Sequence, residues 1–339
     1  MRTLLATLTA LALFTAKSVV AGNYEVTHLK LNRVFEGTTL LADMSDSKWP
    51  RVVEVDFKGN VLWEFSPLSP PNYLGGAVLD AAKLVNGNIL ITIKGSGIYE
   101  INRDGKLAWS HNDAEASHDA DRLPNGNTLY NLGWRSKGED VVREIDPKGK
   151  IVWSWKGLAD YDREPFANIE SEGWMHVNSV SRLKNGNTLI SMRNFNTVAE
   201  VNTDGRVVRD WTFRGWDKRT GLKTKGKIEG VRNHEPEILE NGNMLLALRQ
   251  PHRFVEFNLK TQEIVWSWAH PGGDRELRTN REANRLPNGN TLGSAGNKLV
   301  EIAPDGAIVW QMMAPSGGRK HRKFHKAIRI DANGKSFGG

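Results

Sequence analysis

The chain has 339 residues, a formal charge of +7 and no cysteine. The missing thiols exclude disulfides, a cysteine nucleophile and cysteine-ligated metal. This length suits one large domain whose core needs no cross-links. The basic balance suits an anionic small substrate, and equally an ordinary solubility charge.

Residues 1–21 read as a Sec signal peptide. Arg2 gives the positive start, Leu4 to Ala16 form an apolar run too short to span a bilayer, and Val19-Val20-Ala21 offers small residues for cleavage. The expected mature chain begins near Gly22 and is periplasmic or secreted. Losing Arg2 and Lys17 leaves a charge of +5. No later segment is long and apolar enough to span a membrane.

Residues 22–339 read as a single β-propeller domain. Five Asn-Gly-Asn turns begin at Asn86, Asn125, Asn185, Asn241 and Asn288, after a degenerate Glu36-Gly37-Thr38. Asn-Gly suits a tight hairpin with both turn residues at positive φ. Each turn leads into an apolar strand such as Thr128–Leu132 or Met244–Leu248. A strand of valine, isoleucine or phenylalanine with a glutamate follows, such as Val198-Ala-Glu-Val201. A second glycine turn, as in Asp104-Gly105 or Asp305-Gly306, then leads to a strand carrying tryptophan at Trp63, Trp109, Trp153, Trp266 or Trp310. The fourth unit shifts this residue to Trp211.

Four short strands per repeat predict all-β propeller blades. Six units span roughly 24–66, 75–111, 115–156, 173–214, 230–268 and 280–312. The tail Phe324–Ile330 resembles the first strand of another unit and is expected to close the ring against the first blade. A seven-bladed ring is the alternative. The tryptophans most simply fill the gaps between blades. The inserts at 157–173 and 214–227 sit where pocket walls can form.

His118 and His234 each lie seven residues before their Asn-Gly-Asn turn. Asn178 holds that place in the fourth unit, with His176 two residues earlier and on the same strand face. The hairpin after them returns Arg193 toward His176. Matching faces of first strands converge on the ring axis, so three histidines and an arginine are expected in one funnel. Repetition alone leaves site and scaffold equally open. Arg249 and Arg253 can add positive field, or serve only as surface charge. Glu235 should turn away by strand alternation. His325 aligns with His118 but reads as exposed in a basic tail, whose run Arg319–Lys323 reads as solvated. Nothing around that run suggests nucleic-acid binding. Three histidines also suit zinc with an open position, as in a metal hydrolase or lyase, and the tryptophans suit a quinone cofactor. A non-enzymatic propeller that binds a ligand or protein through the same funnel is a further reading.

Three stretches resemble the arylsulfate sulfotransferase family, in particular its exported bacterial members. They are His118–Leu129, His176-Val-Asn-Ser-Val180 with Ser191-Met-Arg193, and Asn233-His-Glu-Pro236. The resemblance implies transfer of a sulfuryl group from an aryl sulfate to a phenol through a sulfated histidine, with no metal or cofactor. It implies His234 as nucleophile, Arg193 and His176 on the sulfate oxygens, Asn178 in support, and His118 handling the phenol proton. The chain has no room for the β-sandwich through which longer members dimerise, which leaves its oligomeric state open. It also lacks the cysteine pair that some members oxidise.

Overall fold

The computed structural model describes residues 24–46, 48–69, 74–213, 231–314 and 324–338. The leader, the Arg319–Lys323 run and the whole second insert lie outside these residues. Within them the chain forms a six-bladed β-propeller of antiparallel blades. The innermost strands are Phe324–Ile330, Ala77–Lys83, Ala120–Arg122, Val177–Arg182, Asn233–Ile238 and Asn280–Arg285, for blades one to six.

The tail closes the ring as the repeat pattern predicts. Phe324–Ile330 pairs with Thr38–Asp43, so the first blade takes its innermost strand from the C-terminus. The first repeat is divided, however. Glu25–Leu29 pairs with Ile308–Met313 and adds an outer strand to blade six, rather than joining blade one. The exposed edge of blade six is thereby covered. Both chain ends thus tie the same junction, where the Tyr24 hydroxyl donates to Asp43 and the Tyr24 ring lies 5.9 Å from that of Phe324.

The Asn-Gly-Asn turns differ from the expected two-residue type. Only the glycine has positive φ, +86° at Gly87, Gly126 and Gly186. Leu84 N donates to Asn88 O at 2.8 Å, and Gly87 N to Leu84 O at 2.9 Å. The loop is therefore one residue longer, a turn ending in a left-handed glycine. The first asparagine accepts from the third residue's backbone N–H, as in Asn88 N to Asn86 Oδ1 at 3.0 Å. This Asx geometry removes the need for positive φ at asparagine.

The remaining repeat residues fasten blade to blade. Trp63, Trp109, Trp153 and Trp310 donate their indole N–H to Arg103, Pro147, Thr203 and Phe57 carbonyls of the following blade, at 2.8 to 3.0 Å. Inner-strand arginines ion-pair with third-strand glutamates of the preceding blade: Arg122 with Glu100, Arg182 with Glu144, Arg285 with Glu256, Arg329 with Glu301. The same guanidiniums lie over Trp109, Trp153, Trp266 and Trp310. Turn asparagines donate to these glutamates as well, as Asn86 and Asn88 do to Glu100. The tryptophans therefore close the gaps between blades, and the strand glutamates anchor them.

Candidate active site

The inner strands begin at one mouth of the ring, opposite the Asn-Gly-Asn turns. A cavity of about 510 Å³ opens there. Pair register shows two tiers of side chains facing it. One comes from the inner strands, with His118 just before the third blade's: Leu79, His118, His234, Arg281 and His325. The other stands at or just beyond the ends of the second strands: Met44, Lys94, Arg193 and Arg249. The equivalence of Arg193 and Arg249 is visible in the backbone. Arg193 N donates to His176 O at 3.2 Å, and Arg249 N to Arg232 O at 3.3 Å. His176 and Arg232 both precede an inner strand and both have left-handed backbone, φ +48° and +53°. That conformation is uncommon outside glycine, and here it leads the chain into the inner strand.

His118, His176, His234 and Arg193 all line this one cavity and are all buried. The His118 ring centroid lies 5.1 Å from that of His176 and 6.4 Å from that of His234. His176 Nδ1 donates to the Glu172 carbonyl at 2.9 Å. This fixes its proton on Nδ1 and leaves a lone pair on Nε2. The Nε2 atoms of His176 and His234 are buried without a hydrogen-bond partner, as are the Nε atoms of Arg193 and Arg281. Four polar atoms of four cavity-lining side chains thus await partners. His118 Nδ1 lies 2.5 Å from Ser117 Oγ. Arg193 Nη2 pairs with Glu172 at 2.7 Å.

Burial holds all three imidazoles neutral. It pushes His118 and His234 well below the usual histidine range, and nearby cationic and imidazole groups add to this: His176, His325 and Arg281 at His118, Arg281 and Arg249 at His234. His176 falls to about 3, through burial first and Arg193 second. A neutral imidazole is the nucleophilic form. His118 is a weak base while the cavity is empty, rather than one near its ordinary range, and an anion placed beside it raises its proton affinity.

Asn178 is not among the cavity-lining residues. Its amide donates to the Asn233 carbonyl at 2.8 Å, and the Asn233 amide donates to Ser191 Oγ at 2.8 Å. The polar residues of these motifs join blades four and five beneath the histidines. Glu235 points away from the cavity and accepts from Lys326 Nζ at 2.8 Å. Lys326 also meets Asp119 at 2.5 Å and Asp80 at 3.6 Å. Burial works against the lysine charge, but Asp119, Asp80, Glu235 and Glu282 overcome it and hold its pKa well above normal.

His325 corrects one expectation. It is only 7 % exposed, lines the cavity, and lies 6.2 Å from His118 between ring centroids. The tail is not a solvated extension at this point, because its strand is the innermost of blade one. Trp134, Lys94, Glu172, Arg232 and Arg281 also line the cavity without having been singled out in the sequence. Arg281 had a signal, since it too stands seven residues before an Asn-Gly-Asn turn. Lys94 stands where Arg193 does, at the end of the second strand of its blade. Trp134 and Glu172 arrive on loops, where no periodicity marks them. Glu172 belongs to the first insert, which supplies a cavity wall as expected. Among the described residues no group of three His, Asp or Glu has the geometry to hold a metal ion.

A model of the arylsulfotransferase (ASST) family matches residues 23–217, more than half of the chain. The chain belongs to the arylsulfotransferase family. The matched stretch includes His118, His176, Asn178 and Arg193, whereas His234 lies beyond it. No curated protein matches this arylsulfotransferase family member significantly. Among solved structures it is similar to a protein of unknown function from Bacteroides caccae, at 20% identity and TM-score 0.58 over 85% of this chain and 97% of that one. It is similar to a streptogramin B lyase at 12% identity and TM-score 0.55, over 93% and 95%. It is also similar to a catalytically inactive virginiamycin B lyase from Staphylococcus aureus with quinupristin, at 12% identity and TM-score 0.52, over 84% and 87%. At these identities the three structures bear on the propeller fold alone.

Proposed function

We propose that the chain is an exported aryl-sulfate sulfotransferase that works through a sulfated histidine. The supporting observation is the pair of partnerless Nε2 atoms of His176 and His234 in a cavity shared with Arg193, in a chain of this family. His234 Nε2 attacks the sulfur of an aryl sulfate. The bond between sulfur and the aryl oxygen breaks, and the aryl oxide leaves with that electron pair and takes a proton from solvent. A phenol then attacks the sulfated imidazole, the N–S bond breaks, and neutral His234 returns.

Arg193 holds the sulfuryl oxygens with its guanidinium, and His176 joins it once the bound anion has drawn a proton onto Nε2, turning that lone pair into a donor. An arginine fork matches such an oxyanion, and preorganised donors at developing charge are often the largest catalytic contribution. His118 takes the phenol proton once the bound anion has raised its basicity. Asn178 supports His234 through Asn233. None of these steps requires metal or an organic cofactor. The location is outside the cytoplasm, after loss of residues 1–21.

The test is a donor without an acceptor. Treatment with nitrophenyl sulfate, then peptide mapping at mildly alkaline pH, should find one sulfate on His234. A label on another residue, or none during active turnover, would overturn the assignment.

A further inference from the structure

The cavity holds more positive charge than one sulfate monoester carries. Arg193 is balanced by Glu172 at 2.7 Å. Arg249, Arg281 and Lys94 line the same cavity, and among the described residues none of them has a carboxylate within ion-pairing distance. Lys94 lies over the Trp134 ring at 4.0 Å. Arg281 donates to His325 Nδ1 at 3.3 Å, a neutral partner, and keeps its buried Nε unpartnered. Burial lowers Arg281 to about 9 and Arg249 to about 10, each feels Arg193 as a further cation, and Glu172 offsets this only in part at Arg249. Uncompensated like charges in one cavity are costly, so their retention points to a ligand that neutralises them.

The charges are also spread in space. Arg193 and His176 belong to blade four, His234 and Arg249 to blade five, and Arg281 to blade six. A sulfuryl group has three oxygens and one negative charge. Seated on Arg193 of blade four, it leaves Arg249 on His234's own blade and Arg281 on the next blade without an anionic partner. The cavity is also larger than a single phenyl sulfate needs, and within the usual range for a more substituted ligand. We infer that the substrate is an aryl sulfate bearing a second anionic group on its ring, a carboxylate or another sulfate, held by Arg249 and Arg281. This rests on the sulfotransferase reading and narrows its substrate class.

The probes are benzenesulfonate and a benzenedisulfonate, which share a ring and cannot be turned over. Calorimetric titration at one ionic strength should give about tenfold or more tighter binding of the disulfonate, as charge-assisted arginine contacts predict. Arg249→Gln and Arg281→Gln should each shrink that ratio, with circular dichroism checking the fold. Either variant suffices if the other fails to fold. Equal binding of both probes, or a ratio untouched in the folded variants, overturns the inference. Turnover of nitrophenyl sulfate is measured beside it. Turnover without disulfonate preference sinks only this inference. Preference without turnover of any aryl sulfate sinks the sulfotransferase reading and leaves a dianion-selective cavity.

Discussion

Lys326 Nζ lies 2.5 Å from Asp119 Oδ1 on the axis of the ring, and each residue directly follows a cavity histidine, His325 and His118. Glu235, which follows His234, meets the same lysine. One buried cation thus fixes three inner strands at the point where they present imidazoles. Removing one member of a buried charge network typically costs about 3–5 kcal/mol. Lys326→Met is therefore expected to lower the unfolding midpoint sharply. The abandoned carboxyls must then bind protons to stay buried, so the loss should be larger at pH 8 than at pH 5. Denaturant titrations at both pH values check this. An equal loss at both would show that the network does not act through charge.

The propeller was legible because its signals are periodic. Turn glycines, strand glutamates and tryptophans recur where the backbone and the blade gaps demand them. The histidines were legible for the same reason, by their fixed distance from a turn. Arg281 obeyed that rule and was passed over because it is not a histidine. His325 stands eight residues before Asn333-Gly334 and in a basic neighbourhood that suggests solvent, and only ring closure shows that its strand is innermost. The division of the first repeat had no local signal. Whether Glu25–Leu29 joins blade one or blade six depends on which edge lies open, a property of the closed ring.

Closure itself can be tested at Arg329, whose guanidinium pairs with Glu301 and lies over Trp310. Both members of the pair are fully buried. Arg329→Met leaves Glu301 without its cation and should cost about 3–5 kcal/mol. Deleting residues after Pro315 removes the strand altogether and bares an edge of blade one. Thermal melts should show a graded loss, with the truncation worse than the point variant. An unchanged melt for the truncation would contradict closure by the tail.

The lowered histidine pKa values set an expectation for the acid limb. Burial keeps His118, His176 and His234 neutral well below pH 6.5, with His176 at about 3. The free enzyme's kcat/KM should therefore stay level through pH 6.5 and fall only at more acid pH. Stability falls in the same direction but begins to do so at higher pH. A histidine with a depressed folded-state pKa binds protons first in the unfolded chain, so these groups begin to weaken the fold as pH drops below 6.5. A kcat/KM profile with a break near pH 6.5 would show that an ordinary imidazole controls the reaction.

The nucleophile assignment makes the sharpest demand. A sulfated His234 splits the reaction, so the aryl product must leave before the acceptor reacts, and initial rates should follow a ping-pong pattern. His234→Asn should keep the fold, since its Nε2 has no partner to lose, yet lose about 10³-fold or more of turnover, as loss of a nucleophile does elsewhere. Arg193→Lys keeps the charge but loses the planar fork, and its partner Glu172 is mostly exposed, with a side chain 65% accessible. That variant should fold and retain some activity, reduced by about 10²–10³-fold in kcat, the range for one lost oxyanion donor. His118→Asn should depend on the acceptor, with phenols of high pKa suffering most because they need proton removal. Chelator should change none of these rates. Initial-rate kinetics over a phenol series, for the parent and the three variants, checks all of this together. Parallel lines for the parent with near-complete loss in His234→Asn fit a covalent histidine. Intersecting lines, or a His234→Asn variant that works as well as the parent, would move the chemistry to another residue or to direct transfer.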